Sequence, residues 1–457
     1  MKGHSNWSYA PYRPLIEEKF DIYISRVVPD KDSIHIEWIG ETDEYRIYIR
    51  IRDNGEFVLA GKTDICMFDI NNLISDSEYE FYVEGTDGRS VVRLARCGEC
   101  VGTVVNYLHP DDEVYGFSGH YLCSPSLLVH PDGYMLASMD LYAHAHPQNL
   151  TLIFRSDDNG KSWHYLTELM PCFWGKLFVH RGDVYMLACS TEYGDLLIGK
   201  STDGGRTFGA PVCLLRGGNG KNGSDGIHKN PQNIVYHKGR IYTSLEWGNW
   251  QNKSFCHAAM VMSCDENDDL MVPENWSFTE PLPFGIFADE LEGMADDTMT
   301  IEGTLAVTPS GRLENIMRFG KRGYAIRYKV DDVCHESKLE YAGLMEFGAN
   351  LSKFMIKYDT VSGKYYSVAT RLYEGCKDSA RNLLSLMCSS DLEHWETVCD
   401  IYDYRDDDVE KIGFQYVDFE FDGDDIIFLC RTAFNDAHNV HDANYSVFDR
   451  VKNFRDI

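Results

Sequence analysis

From residue 18 to 98, apolar and polar residues alternate with period two in five short runs: DIYISRVV, SIHIEWIG, EYRIYIRI, EFVLAG and EYEFYVEG. That period places successive side chains on opposite faces, as in a half-buried strand. Turn formers such as Asp53-Asn54-Gly55 and Asp87-Gly88 separate the runs. The pattern predicts a small antiparallel β-sandwich over 18–100, preceded by an N-terminal extension at 1–17.

Beyond residue 100 the strand-like runs continue and a longer period emerges. Ser156-Asp157-Asp158-Asn159-Gly160-Lys161-Ser162-Trp163 fits S-x-D-x-G-x-[ST]-[WF], and Ser201-Thr202-Asp203-Gly204-Gly205-Arg206-Thr207-Phe208 fits it again 45 residues later. Ser389-Ser390-Asp391-Leu392-Glu393-His394-Trp395 is a copy one residue short, and Ser263-Cys264-Asp265 with Trp276 is an expanded one. Such residues lock a hairpin turn. The Asp accepts bonds from the turn's own N–H groups, the Gly supplies a positive φ, and the aromatic tucks between sheets.

Working outward from these turns gives six units. Their innermost strands start near Cys123-Ser124-Pro125, Phe173-Trp174, His228-Lys229-Asn230, Glu302-Gly303, Ser352-Lys353 and Gln415-Tyr416. About 60 residues per unit suits four strands plus loops. The expectation is all-β: a six-bladed β-propeller over 101–457, with a seventh blade only if residues 101–120 add more than a closing strand. In that layout the starts of the innermost strands open on one face together with the loops after the second strands. This face gathers Asp140, His144, His146, His228, Glu302, Arg318, Lys353, Arg381, Gln415, Tyr416, Arg431, His441 and further polar groups. Charged side chains crowded at a narrow axis are costly unless paired or working, so this face is the candidate site.

The Ser–Asp turns resemble the Asp boxes of sialidase-type β-propellers. Trp38, with Leu73 and Tyr79-Glu80-Phe81-Tyr82-Val83, gives the first hundred residues a similarity to fibronectin type III modules. Three further stretches resemble the sialidase pattern in order: Glu302-Gly303-Thr304-Leu305 running on to Arg318, Arg381-Asn382-Leu383 ahead of a turn copy, and Gln415-Tyr416-Val417-Asp418-Phe419 in the last blade. The resemblance implies Tyr416 as nucleophile, Glu302 as its base, and Arg318 and Arg381 on a sugar carboxylate. Two departures stand against it. The family's first Arg is replaced by Cys123 in Cys123-Ser124-Pro125-Ser126-Leu127, and its acid–base Asp falls in Asp140-Leu141-Tyr142-Ala143-His144-Ala145-His146. Asp140 or His144 is then the expected acid–base, and the three-arginine clamp is incomplete. His228 is a further catalytic candidate. Arg431, Lys353, His146, Gln415 and His441 are expected to contact substrate.

Each candidate has a structural alternative. Glu302 and Tyr416 can be a buried hydrogen bond at the axis, and the arginines can belong to an ion-pair network. His144 and His146 lack an evident third ligand, so no metal is expected, and no motif calls for a cofactor.

Lys and Arg total 43 against 72 Asp and Glu, a formal charge of −29. That disfavours nucleic acid and anionic membranes as partners, while a locally basic pocket can still take a small anion. No window offers the ~18 unbroken apolar residues of a membrane helix. The 14 cysteines include Cys97 and Cys100 in CGEC, half of a zinc or redox pattern without its second half. Unpaired thiols and a start without an apolar stretch suggest a cytoplasmic protein.

Three functions compete. The leading one is an exo-glycoside hydrolase acting on a carboxylated, sialic- or uronic-type glycan. The second is a uronate lyase, in which an Arg neutralises the carboxylate and a His or Tyr takes the adjacent proton. The third is a non-catalytic glycan-binding propeller, with Trp174, Trp247 and Trp250 as stacking surfaces.

Overall fold

A computed structural model of the chain describes residues 21–251, 257–286, 299–331 and 337–457. The extension expected at 1–17 and the first residues of the sandwich lie outside the described residues. Seven strands then build two facing antiparallel sheets. Tyr23–Pro29, Ser33–Ile39 and Met67–Asn71 form one; Tyr45–Ile51, Asn54–Thr63, Glu78–Glu84 and Arg93–Arg96 form the other. Ile24, Ile34, Ile36, Trp38, Ile47, Phe81 and Val83 fill the space between them. Met67–Asn71 and Arg93–Arg96 escape the sequence pattern because MFDIN and RLAR are too short to show a period.

Six further antiparallel sheets follow, each progressing outward in chain order. Their first strands are Tyr121–Val129, Phe173–His180, Gly226–His228 (continued by Val235–His237), Thr300–Val307, Lys357–Asp359 and Gly413–Asp422. These strands line the axis, and Tyr121–Val129 lies against both Phe173–His180 and Gly413–Asp422. The sixth sheet is completed from the other end of the chain, because Thr103–Tyr107 pairs with Tyr445–Val451 as its outer strand. Residues 101–120 contribute this strand and one turn of 3-10 helix at Glu113–Tyr115, so no seventh sheet arises among the described residues. Nor is any helix there long and apolar enough to cross a membrane.

The Ser–Asp turns connect third and fourth strands. In the first, Ser156 Oγ accepts from Gly160 N at 2.9 Å, and Asp158 accepts from Ser162 N at 2.9 Å and Ser162 Oγ at 2.6 Å. The second repeats this with Ser201, Gly205, Asp203 and Thr207 at 2.9, 3.0 and 2.6 Å. In the shortened copy Leu392 takes the left-handed position at φ 67° and donates to Ser389 Oγ at 2.9 Å. Trp163 is fully buried and meets Phe448 of the sixth sheet at 5.4 Å.

A buried ion pair and a buried arginine pin the sandwich to the propeller. Arg93 donates to Asp112 at 2.6 Å and to Ile24 O at 2.7 Å. Arg26 reaches Val105 O at 2.7 Å and Val104 O at 3.0 Å, the carbonyls of the closing strand, and Glu37 at 2.6 Å.

Candidate functional site

Four first strands break their ladder at equivalent places. The pairing register skips between Cys123 and Ser126, Phe173 and Lys176, Ile301 and Gly303, and Gln415 and Asp418. At each skip a non-glycine residue takes left-handed backbone: Ser124 (47°), Trp174 (55°), Glu302 (62°) and Tyr416 (57°). A bulge re-aims one side chain out of the strand's alternation, and strain of this kind persists where the surroundings enforce it. The four bulges face the axis at one end of the propeller. Their positions match the strand starts read from the sequence.

Glu302 and Tyr416 meet there. Arg318 Nη1 donates to Glu302 Oε2 at 3.0 Å, and Nη2 to Leu351 O at 2.9 Å. Burial works to raise the Glu302 carboxyl, but Arg318 and a hydrogen bond from Tyr416 outweigh it and hold the group below its usual range. For Tyr416, burial and the Glu302 charge push the phenol up to about 12, against the pull of Arg318, Arg381 and Arg431. At neutral pH the pair is therefore a protonated phenol beside an ionised carboxylate.

The other two arginines flank the same ring. Arg431 Cζ lies 5.1 Å and Arg381 Cζ 6.0 Å from its centroid. Arg381 donates to Gln415 Oε1, and Arg431 donates to the His441 carbonyl. Neither forms an ion pair among the described residues, and the Nε of each is buried without a partner. Burial followed by the neighbouring arginines lowers Arg381 to about 10. Two cations without an ion-pair partner among the described residues are an arrangement suited to an anion. Arg431 completes a cluster of three around Tyr416, although Cys123 replaces the arginine expected from the first blade.

His228 stands behind Glu302, its Nδ1 2.6 Å from Glu246 Oε2, while Glu246 Oε1 accepts Gly303 N at 2.9 Å. Trp174 packs on His228 at 4.1 Å. His441 lies on the rim, its Nδ1 2.9 Å from Asp442 Oδ1. On the loop after the first blade's second strand, His146 Nε2 meets His120 Nε2 at 3.1 Å and His144 is exposed.

Two expected site residues take other places. Asp140 is fully buried. Its oxygens accept from Thr151 Oγ1 at 2.5 Å and from Trp174 N at 2.6 Å, and burial raises its carboxyl to about 7. It fastens the second blade to the first beneath the floor and presents no oxygen to the pocket. Lys353 is likewise fully enclosed, donating to Val417 O at 3.3 Å, with burial bringing it down to about 8. Lys176, absent from the sequence reading, joins it at the axis and pairs with Asp418 at 2.5 Å. Its signal was a lysine inside the apolar first strand FWGKLFVH. Below this layer, cavities of 540 and 470 Å³ open at the opposite mouth of the axis. Cys97 and Cys100 are free thiols, and burial pushes Cys97 up to about 12, away from the reactive thiolate.

No protein-family model matches the chain, and no curated protein matches it. Among solved structures the chain is similar to a Hadza microbial sialidase, with a TM-score of 0.50 and 13% identity over 95% of this chain and 98% of that one. It is similar to a Penicillium chrysogenum α-L-arabinanase complexed with arabinobiose, at TM-score 0.51 and 12% identity over 78% and 99%. A protein of unknown function from Dyadobacter fermentans is similar at TM-score 0.50 and 12% identity over 77% and 98%. At such identities the likeness is one of fold.

Proposed function

We propose that this chain is a carbohydrate-active enzyme, an exo-glycoside hydrolase that removes a carboxylated, sialic- or uronic-type sugar from a glycan. We read its Ser–Asp turns as Asp boxes and its first hundred residues as a fibronectin type III-like module beside the catalytic propeller. The observation carrying this reading is the surround of Tyr416: a carboxylate that can take its proton, and two guanidiniums with no carboxylate partner among the described residues. The fold similarity to a sialidase and an arabinanase supports it.

In this reading the sugar carboxylate seats between Arg381 and Arg431, with Arg318 holding Glu302 in place. Tyr416 attacks the anomeric carbon as Glu302 accepts the phenolic proton. A free phenol at about 12 is a poor nucleophile, so the transfer is concerted with attack, when the oxygen loses basicity as it bonds to carbon. The arginines offset the charge that forms.

Tyr416→Phe removes one oxygen and leaves the packing intact. Turnover of an anionic aryl glycoside should fall by ~10³-fold or more, an activation loss of ~4 kcal/mol, with binding retained. A fluorinated glycosyl probe should label Tyr416. Full activity in the variant would remove the assignment. The His228–Glu246 dyad favours a second reading, uronate elimination with His228 as base. Elimination yields an unsaturated uronate absorbing in the near ultraviolet and hydrolysis does not, while binding without turnover would indicate a glycan-binding propeller.

A further inference from the structure

A Tyr–Glu pair expels a poor leaving group such as a sugar or alkyl aglycone efficiently only if some group protonates the departing oxygen. Asp140 is sealed beneath the floor and cannot do so. We propose that His441, anchored by Asp442, is the general acid–base of this site. The inference rests on the glycosidase reading above.

His441 lies in the sixth blade between the strands Asp425–Ala433 and Tyr445–Val451. This loop is fastened from within. Asp442 Oδ1 meets His441 Nδ1 at 2.9 Å, Asp442 Oδ2 meets His438 Nδ1 at 2.8 Å, and Asn439 Oδ1 accepts the backbone N–H of both His441 and Asp442 at 2.8 and 2.9 Å. Nδ1 also lies 3.4 Å from Arg431 Nη2; the Asp442 carboxylate on Nδ1 holds the ring and favours the Nδ1–H tautomer, leaving Nε2 to exchange the working proton. Nε2 has no hydrogen bond among the described residues, and the side chain is 40% exposed while Asp442 is 15% exposed. The imidazole packs edge-on to Tyr142 at 5.2 Å. Arg431, which donates to the His441 carbonyl, has its guanidinium carbon 5.1 Å from the Tyr416 ring. One guanidinium thus separates nucleophile from acid, and the substrate carboxylate would rest upon it.

That guanidinium also sets the timing of protonation. In the free protein, burial first and then Arg431 bring His441 down to about 4; Arg381 adds to this and Asp442 opposes it. His438, Tyr121 and Tyr142 are the other titratable groups around it. A sugar carboxylate on Arg431 and Arg381 offsets the two repelling charges; burial, the first cause, persists, and Asp442 works against it. In the proposal this relief lets the imidazole take up a proton as substrate seats. In the first step the Tyr416 oxygen–carbon bond forms, the bond to the aglycone oxygen breaks, the phenolic proton goes to Glu302, and the Nε2 proton goes to the aglycone. In the second, a water attacks the anomeric carbon and gives its proton to Nε2, while the Tyr416 oxygen leaves and recovers its proton from Glu302.

The test compares leaving groups on a panel of glucuronides and sialosides of both anomers. His441→Gln should lose ~10²- to 10⁴-fold on alkyl glycosides, whose oxygen must be protonated. It should lose under ~10-fold on 2,4-dinitrophenyl glycosides, which depart unaided, and azide should restore its second step. The basic limb of the kcat profile should vanish in His441→Gln and move to lower pH in Asp442→Asn. Calorimetry of glucuronate binding near pH 5.5 in two buffers should show proton uptake by the wild type and none by His441→Gln. Equal losses on both leaving groups, or unchanged proton uptake in a folded variant, would overturn the role of His441. Failure of the parent reading looks different: the wild type itself turns over no glycoside of the panel, and the acid–base assignment falls with it.

Discussion

Arg381 and Arg431 differ from Arg318 in having no carboxylate partner among the described residues, and this sets what a substitution does. Arg381→Ala or Arg431→Ala should weaken binding of a carboxylated sugar by ~2–5 kcal/mol, since the anion loses a desolvated partner. A neutral sugar of the same shape should be much less affected in a titration series, and equal losses for both would rule out the anion site. Asp140 is a test of the opposite kind. Its carboxyl is raised from 3.8 to about 7, so the unfolded chain releases this proton first as pH rises. Its contribution to stability therefore falls between about pH 4 and 7 and stays low above that window. Asp140→Asn lacks this term, and its advantage in unfolding free energy, read by denaturant titration, should grow from pH 5 to pH 8, reaching roughly 2–4 kcal/mol. A variant that loses ground as pH rises would show that the enclosed carboxylate is stabilising. That Tyr416, Glu302 and Arg381 lie on one face was legible in the sequence because each sits beside a strand start or a turn that the chain itself marks. Arg431 was expected on that face too, but its approach to the Tyr416 ring was not legible, since it depends on Gln415↔Arg431 pairing. The fate of Asp140 was hidden too, because it rests on the backbone N–H of Trp174 from the next blade.

At the scale of elements, the first two strands of the blades carry the proposed site and the Ser–Asp turns carry the joints. Both features are local, and for that reason both could be read from residue spacing. The two strands Met67–Asn71 and Arg93–Arg96 were missed because they are too short for a period to register. The turns face away from Tyr416, so their loss should be felt in stability alone. Asp203→Ala removes the acceptor for Thr207 N and Thr207 Oγ1 and should cost ~1–3 kcal/mol in denaturant unfolding. Ligand affinity of the folded fraction should not change, and a large affinity loss at constant melting temperature would contradict this division between the two ends. The packing behind the turn is tight. A Cβ added at Gly160 would come within 2.1 Å of the Phe448 ring, so a turn of one blade has been fitted against a strand of another.

For the whole molecule, the sandwich and the propeller share buried charge. Arg93 and Asp112 are 3% and 1% exposed. Arg93→Met leaves the carboxylate enclosed without its cation and should cost ~3–5 kcal/mol. Because the pair spans both units, one thermal transition should shift as a whole. An unchanged melting temperature, or loss of the sandwich transition alone, would show that the two units are energetically separate. Long-range pairings like this one leave no mark in the sequence, whereas the acidic surface and the six-fold spacing do. The joining of Thr103–Tyr107 to Tyr445–Val451 has a consequence for biosynthesis. The strand made first must wait with an open edge while the ribosome adds every residue up to 445, roughly 20–70 s at ordinary elongation rates. Tyr416 and Arg431 belong to the blade that this late event completes. A nascent chain, however much of its ring has already condensed, therefore lacks the completed surround of Tyr416, and chaperones that shield strand edges should matter more to its yield than to its final stability.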